Sequence, residues 1–222
     1  MTSPERVPSD APAADAAPEH GEAAAPEHGG AAAPEHGGAA APELGGAAAR
    51  ERAAIVLIGP MGAGKTSVGR RVARALGASF SDTDKIVVRD HGPIRDLFSA
   101  HGEAHFRALE RDAVVEALAR GGVVALGGGA VLDPLTRDRL AAHHVVLLTV
   151  APNVVASRIH GDDRPLLSGE DPAERWRRIY EERRPLYEAT ADIAFDTSSG
   201  PLSRVVDDIV TWARSVEVEE TP

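Results

Sequence analysis

The 222-residue sequence contains no cysteine, so it can form neither a disulfide bond nor a thiol-based catalytic centre. The absence of cysteine is compatible with a reducing cytosol. The sequence also lacks an apolar run long enough to span a membrane. Its first residues contain neither the basic nor the apolar region of a secretory signal. These absences predict a cytoplasmic protein that has no membrane partner.

Lysine is nearly absent as well. Only Lys65 and Lys85 are lysines, and the other 22 of the 24 basic residues are arginines. The net charge is −10, of which residues 1–50 contribute −6 (eight acidic residues and two arginines) and residues 51–222 the remaining −4. A domain that binds nucleic acid needs a basic face for the phosphate backbone. The mildly acidic domain therefore argues against nucleic acid as a partner.

Residues 1–50 contain no aromatic residue and only two β-branched residues, Thr2 and Val7. An octapeptide with Pro and Gly recurs four times in this segment, starting at positions 17, 25, 33 and 41. Such a repeat neither sustains a helix nor buries a core, so it predicts a disordered tail. The three histidines of the repeats lie eight residues apart on a flexible chain, which favours weak adventitious metal binding over a dedicated metal site.

Residues 51–222 have the length of a single domain, in which short apolar runs alternate with segments of helical spacing. The predicted strands are residues 54–58, 78–81, 122–126, 145–150 and 193–195. The predicted helices are residues 67–76, 84–91, 103–120, 134–142, 152–158, 173–190 and 202–216. Pro185 is expected to kink or break the sixth helix. The alternation predicts an α/β fold, with a parallel sheet covered on both faces and ligands at the carboxyl ends of its strands.

The first predicted strand leads into Gly59-Pro60-Met61-Gly62-Ala63-Gly64-Lys65-Thr66, which fits the phosphate-binding loop pattern. Its glycines let backbone N–H groups converge on a phosphate and permit a positive φ where the loop folds back. Lys65 adds a mobile positive charge, and the Thr66 hydroxyl can ligate Mg²⁺. The helix that follows aims its N-terminus at the anion. The octet therefore predicts a nucleotide phosphate site.

Two further groups of residues follow predicted strands. Asp82 and Asp84 stand two apart after the second strand, where one carboxylate could act on Mg²⁺ through water and the other could reach a substrate hydroxyl. Helix capping explains Asp84 equally well. After the third strand, the three glycines of residues 127–129 favour close approach of a ligand over a simple turn.

Glu103, Arg107 and Glu110 share one face of a predicted helix. They could form a surface ladder of ion pairs. Alternatively, Arg107 could bind the carboxylate of a small acid through two parallel hydrogen bonds, while Glu110 holds the Arg107 side chain in place. The spacing alone supports both interpretations. Farther along, residues 161–169 have loop composition with Arg164 ahead of a proline, which fits a mobile lid that brings charge to a transferring phosphoryl group.

Taken together, these motifs resemble the shikimate kinase family, in the nucleoside-monophosphate-kinase branch of P-loop folds. The resemblance covers residues 53–214 and rests on the run GPMGAGKTSVGRRVARALG followed in order by DTD, FRALE, LGGGAV, RPLL and RRPLY. It implies a three-layer P-loop kinase fold with a five-stranded parallel sheet, a helical acceptor-binding region at about residues 83–111 and a mobile lid at about 160–171. The implied reaction transfers the γ-phosphoryl group of ATP to the 3-hydroxyl of shikimate, and the expected state is a monomer.

For the nucleotide, the resemblance implies that one run of residues wraps the ATP phosphates: Gly62, Ala63, Gly64, Lys65, Thr66 and Ser67. Thr66 would ligate one Mg²⁺ per subunit, with Asp82 near the metal. Arg158 would lie against the adenine. Lys65 and Arg164 would act on the phosphates during catalysis.

For the acceptor, the resemblance implies that Asp84 contacts the shikimate hydroxyls and is the candidate catalytic base. Arg107 and Arg184 would bind the shikimate carboxylate, and Gly128 would offer its backbone N–H. Two aromatic side chains would line the acid pocket: Phe98 and Phe106.

One departure concerns residues 198–201, which read Ser-Ser-Gly-Pro where related chains often carry an Asn/Arg-like pair that touches the adenine. The nucleotide base preference therefore stays open. Two alternatives also remain. A gluconate-type sugar-acid kinase shares the loop and the acidic pair, but would not be expected to carry the other motifs. A nucleotide-gated binding module without turnover would be marked by loss of Asp84 or Arg164, and both are present.

Overall fold

A computed structural model describes residues 53–158 and 172–219. Its centre is a sheet of five parallel strands in the order β2-β3-β1-β4-β5. The strands are β1 Ile55–Ile58, β2 Phe80–Asp82, β3 Val123–Ala125, β4 His144–Thr149 and β5 Ile193–Asp196. In the central strand, Leu57 pairs with Ala125 on one side and Val146 on the other.

The described residues form seven α-helices, of which the last follows β5 and the others lie between strands in the sequence. They are α1 Lys65–Leu76, α2 Thr83–His91, α3 Ile94–Arg120, α4 Pro134–Leu140, α5 Pro152–Arg158, α6 Pro172–Thr190 and α7 Leu202–Glu219. A 3₁₀ turn, Ala130–Leu132, follows the three glycines after β3. None of the helices within the described ranges is long and apolar enough to cross a membrane.

The three central strands β3, β1 and β4 are buried on both faces, which is why they are almost uninterruptedly apolar. Successive residues of a strand point to opposite faces. Val56 accordingly belongs to the core cluster that holds Val124, and Leu57 to the cluster that holds Val146 and Leu148. Helix, sheet and helix layers thus form the predicted three-layer α/β fold.

The five predicted strands are confirmed with small shifts at their ends, but two helical predictions need correction. Helix α3 begins at Ile94, nine residues before the predicted start, and carries a kink at Gly102, where φ is 79° and ψ is 175°. Because this non-helical residue interrupts the helical spacing of the apolar residues, the first part of α3 was not predicted.

Helix α6 also runs through Pro185, so of the predicted kink or break, the break does not occur. Proline removes one backbone hydrogen bond inside a helix. The two halves of α6 are nevertheless anchored in the core, because Trp176 before the proline and Tyr187 after it are both buried. The tail at 1–50 and the lid at 160–171, including Arg164, lie outside the described residues, so the statements about them stay predictions.

Candidate active site

A cavity of about 580 Å³ opens at the carboxyl ends of the central strands. It is lined by the phosphate loop, which we define as Gly59–Thr66, and by Phe98 and Arg107. Asp82 and Asp84 lie along its wall. The sheet topology therefore brings the predicted nucleotide-binding and acceptor-binding residues to one cavity, as expected for a parallel sheet.

The phosphate loop has the backbone geometry that its glycines were expected to allow. Gly62 and Gly64 have φ values of 83° and 87°, in the left-handed region that other residues rarely adopt. A Cβ at Gly59 would lie 2.2 Å from the backbone oxygen of Leu148, so only glycine fits there. The Lys65 ammonium donates to the carbonyl oxygens of Gly59 and Pro60, at 2.8 and 3.0 Å.

Thr66 and Asp82 form the oxygen-rich corner of the cavity. The Thr66 hydroxyl donates a hydrogen bond to Asp82 Oδ2 at 2.7 Å, and Asp82 Oδ1 accepts one from the Lys85 backbone N–H at 3.2 Å. The second contact makes Asp82 the N-cap of α2, so the cap that the sequence suggested for Asp84 belongs to Asp82. Asp84 lies in the first turn of α2 and lines the cavity.

The three glycines after β3 serve different purposes. A Cβ at Gly127 would lie 2.4 Å from Glu110 Oε1 and 2.6 Å from Asp84 Oδ1, and one at Gly129 would lie 2.1 Å from Arg107 Nη1. At these two glycines the protein's own side chains occupy the space that a Cβ would need. A Cβ at Gly128 would meet its nearest atom at 3.6 Å, an ordinary contact. Close approach of a ligand is therefore a hypothesis for Gly128 alone.

Arg107 lies between two glutamates of α3 and faces the cavity. It donates to Glu103 Oε1 at 2.9 Å and to Glu110 Oε2 at 2.5 Å. Only Glu103 is half exposed; the Arg107 and Glu110 side chains are 16% and 4% exposed. The surface-ladder interpretation therefore fits Glu103 but not the Arg107–Glu110 pair.

Burial raises the pKa of Glu110, and the nearby charge of Asp84 adds to this rise, although Arg107 opposes it. For Arg107, burial lowers the pKa, but the charge and hydrogen bond of Glu110 outweigh it, so that the pKa is raised. The guanidinium is thus held charged and in a fixed orientation at the cavity wall. Such a group suits bidentate recognition of a carboxylate.

Helix α6 presents Arg183 to the cavity, not Arg184. The Arg183 Nη1 donates to the Gly128 carbonyl oxygen at 3.1 Å, and the buried Tyr187 hydroxyl donates to the same oxygen. Burial raises the pKa of Tyr187 to about 12, so the phenol stays protonated as a donor. Arg184 is half exposed, forms an ion pair with Glu188 at 2.7 Å and does not line the cavity. The two arginines lie about 100° apart around the helix, so only one can face the site.

Arg158 and β5 border the phosphate loop. Arg158 donates to the carbonyl oxygens of Thr197 and Gly62, at 2.9 and 3.2 Å. The Ser198 hydroxyl accepts from the Ala151 N–H at 2.7 Å and donates to Asp196. The departure at Ser198 therefore has a structural role, since it joins the loops that follow β4 and β5.

The sequence analysis missed Trp176, whose indole Nε1 donates to the Met61 carbonyl oxygen of the phosphate loop at 2.9 Å. Trp176 is 3% exposed and stacks on Tyr180. Only its presence on a helix rich in charged residues, in a chain with two tryptophans, could have pointed to it. A buried tryptophan usually needs a partner for its N–H.

Comparison with known proteins decides the family. Residues 61–214 match the family model described as shikimate kinase. The chain belongs to the shikimate kinase family. Shikimate kinase from Corynebacterium efficiens is 43% identical over 161 residues, which are 72% of this chain and 95% of that protein. Shikimate kinase from Thermobifida fusca is 48% identical over 150 residues, 66% of this chain and 87% of that protein.

Solved structures agree with this assignment. Shikimate kinase from Acinetobacter baumannii in complex with shikimate superposes with a TM-score of 0.71 at 34% identity, covering 77% of this chain and 96% of that one. A gluconokinase from Sinorhizobium meliloti has a TM-score of 0.52 at 21% identity, covering 76% and 97%. The second similarity shows a shared fold alone. The predicted P-loop kinase fold of the shikimate kinase family is thus confirmed.

Proposed function

We propose that this chain transfers the γ-phosphoryl group of ATP to the 3-hydroxyl of shikimate. The products are shikimate 3-phosphate and ADP, in the chorismate pathway to aromatic amino acids. One observation carries the proposal: a single cavity is lined by the phosphate loop, by Asp84 and by the guanidinium groups of Arg107 and Arg183. Family membership makes the donor ATP, and the arginines call for an acceptor that bears a carboxylate.

The phosphate loop is the donor site in this proposal. Its backbone N–H groups, the N-terminus of α1 and the Lys65 ammonium would surround the triphosphate, with Ser67 at the start of the helix. Arg158 would lie against the base. The Thr66 hydroxyl and the Asp82 carboxylate are hard oxygen ligands and fit one Mg²⁺ ion, which would neutralise developing charge on the phosphates.

The acceptor would lie at the other end of the cavity. We assign its carboxylate to Arg107 and Arg183, because both guanidinium groups line the cavity and Arg184 does not. Phe98 and Phe106, whose ring centroids are 4.7 Å apart, offer an apolar wall for a six-membered carbon ring. The Gly128 backbone would lie against the acid.

In the chemical step, the acceptor hydroxyl oxygen forms a bond to the γ-phosphorus as the bond between that phosphorus and the ADP oxygen breaks. Asp84 takes the hydroxyl proton. Lys65 follows the transferring group, and the sequence assigns Arg164 the same task. Catalysis by such a site is positioning and charge stabilisation. We further propose that the chain acts in the cytoplasm as a monomer, without nucleic-acid or membrane partners.

An ADP-release assay with the purified full-length chain tests this function. Shikimate, gluconate and nucleoside monophosphates would be compared as acceptors, each with ATP and Mg²⁺. We expect ADP release that depends on shikimate and is lost in Asp84→Asn. Equal turnover with gluconate, or no turnover with shikimate, would contradict the proposal.

A further inference from the structure

Every carbonyl oxygen from Gly59 to Ala63 in the phosphate loop accepts a hydrogen bond from a side chain. The Lys65 ammonium donates to the carbonyl oxygens of Gly59 and Pro60. The other three donors are Trp176 Nε1 to Met61 at 2.9 Å, Arg158 Nη1 to Gly62 at 3.2 Å and the Thr197 hydroxyl to Ala63 at 3.1 Å. Trp176 and Thr197 come from α6 and the end of β5, far from the loop in sequence.

These contacts determine which way the peptide N–H groups point. No cis peptide bond occurs in the described residues, and in a trans peptide the C=O and N–H groups point to opposite sides. A donor that holds the Met61 carbonyl therefore turns the Gly62 N–H away from itself. The same holds for the Ala63 carbonyl and the Gly64 N–H.

Both peptides precede a glycine with positive φ, at 83° for Gly62 and 87° for Gly64. Glycine adopts either sign of φ readily, so these peptides can turn over with little steric resistance. A turned peptide would present a carbonyl oxygen where an anion needs a donor. The loop sequence alone does not prevent this.

We propose that Trp176 and Thr197 are positioning residues that hold the N–H groups of Gly62 and Gly64 towards the triphosphate. Both donors are rigid. The Trp176 indole is buried and stacks on Tyr180, with ring centroids 5.2 Å apart and planes 18° apart. Thr197 is 2% exposed, and its single hydroxyl proton is shared between the Ala63 and Thr149 carbonyl oxygens, at 3.1 and 2.9 Å. Preorganised donors of this kind bind an anion without reorganisation. The inference rests on the donor half of the proposed function.

Trp176→Phe tests the first donor, because it keeps a ring for the stack and removes only the N–H. The readouts are binding of inorganic tripolyphosphate and Mg·ADP by calorimetry, together with KM for ATP and for shikimate. One net hydrogen bond corresponds to about a 3- to 10-fold change. We expect both dissociation constants and the KM for ATP to rise by that factor, with the KM for shikimate within twofold. Trp212→Phe is the control, since Trp212 lies on α7 against His144 and should leave all values unchanged.

Thr197→Val and Thr197→Ser provide a second, isosteric pair that does not depend on the folding of the tryptophan variant. Val removes the hydroxyl and should weaken tripolyphosphate binding about 3- to 10-fold, whereas Ser restores it. Wild-type tripolyphosphate binding in the folded Phe and Val variants, or equal losses for ATP and shikimate, would overturn the inference. A wild-type chain that binds tripolyphosphate with these effects but does not phosphorylate shikimate would refute the acceptor alone. A wild-type chain that binds no tripolyphosphate refutes both.

Discussion

Arg183 donates a hydrogen bond to the Gly128 carbonyl oxygen across 3.1 Å, and this contact joins α6 to the glycine loop at the cavity. The neighbouring Arg184 forms its ion pair with Glu188 on the exposed side of the same helix. The two arginines are therefore expected to differ in function although the sequence presents them as equals.

Arg183→Lys should raise the KM for shikimate about 10- to 100-fold and leave the KM for ATP within twofold. The reason is that a lysine ammonium group cannot form the two parallel hydrogen bonds that a planar guanidinium group forms with a carboxylate. Arg107→Lys should behave in the same way. Arg184→Lys is the matched control and should have wild-type kinetics. Steady-state kinetics with each substrate varied in turn would measure this, and a larger effect at Arg184 would show that our choice between the two is wrong.

This pair shows where sequence reasoning stops. The alternation of strands and helices predicted the sheet, and the glycine motif predicted the phosphate loop. The family resemblance implied an acceptor-binding arginine in the RRPLY segment, but it pointed to Arg184. Which arginine faces the cavity depends on the rotation of α6 about its axis. That rotation is set by Tyr187 and Trp176 packing into the core, and no local pattern contains it.

The same limit applies to capping and to the glycines. Asp82 and Asp84 have the same side chain, and only the exact end of β2 decides that Asp82 caps α2. Glu110 and Arg107, which approach from α3, occupy the space that a Cβ at Gly127 or Gly129 would need. The periodicity within one segment can be read from a single sequence, but the contacts between distant segments cannot.

Lys65→Met should reduce kcat by several orders of magnitude and leave the melting temperature nearly unchanged. Methionine keeps the length of the side chain but removes the charge that follows the transferring phosphoryl group. Lys85→Met is a fitting control, because Lys85 is the only other lysine and is exposed on α2. Turnover of the Lys65 variant within tenfold of the wild type would count against the proposed mechanism.

Deleting residues 1–50 should leave both the melting temperature and kcat/KM close to those of the full chain. The repeats predict a segment that buries no surface, so its removal should cost no folding free energy. Thermal unfolding and the ADP-release assay on the two chains would test this. A fall in melting temperature of several degrees would mean that the tail packs on the domain.

Glu110 should make the stability of the domain depend on pH in an unusual direction. Its carboxyl group is faced by Arg107 and Arg183, which favour the charged form, and by Asp84, which opposes it. Burial prevails, so the pKa in the folded state is raised above the ordinary value of 4.5. The folded state then holds a proton that the unfolded state has already lost. The stabilisation from this proton is complete below about pH 4.5 and disappears as the pH rises through the raised pKa, with a slope of at most about 1.4 kcal/mol per pH unit.

Glu110→Gln removes this titration while its amide oxygen can still accept a hydrogen bond from Arg107. Urea unfolding at a series of pH values from 4 upward would give the free energy of unfolding of both chains. We expect the wild-type value to fall relative to the variant as the pH rises above 4.5, because contributions from the other groups cancel in the difference. Glu103→Gln is the control for the loss of a charged partner of the same Arg107, because Glu103 is 53% exposed. Parallel pH profiles for the wild type and Glu110→Gln would mean that Arg107 offsets the burial of Glu110, so that its pKa does not differ between the folded and unfolded states.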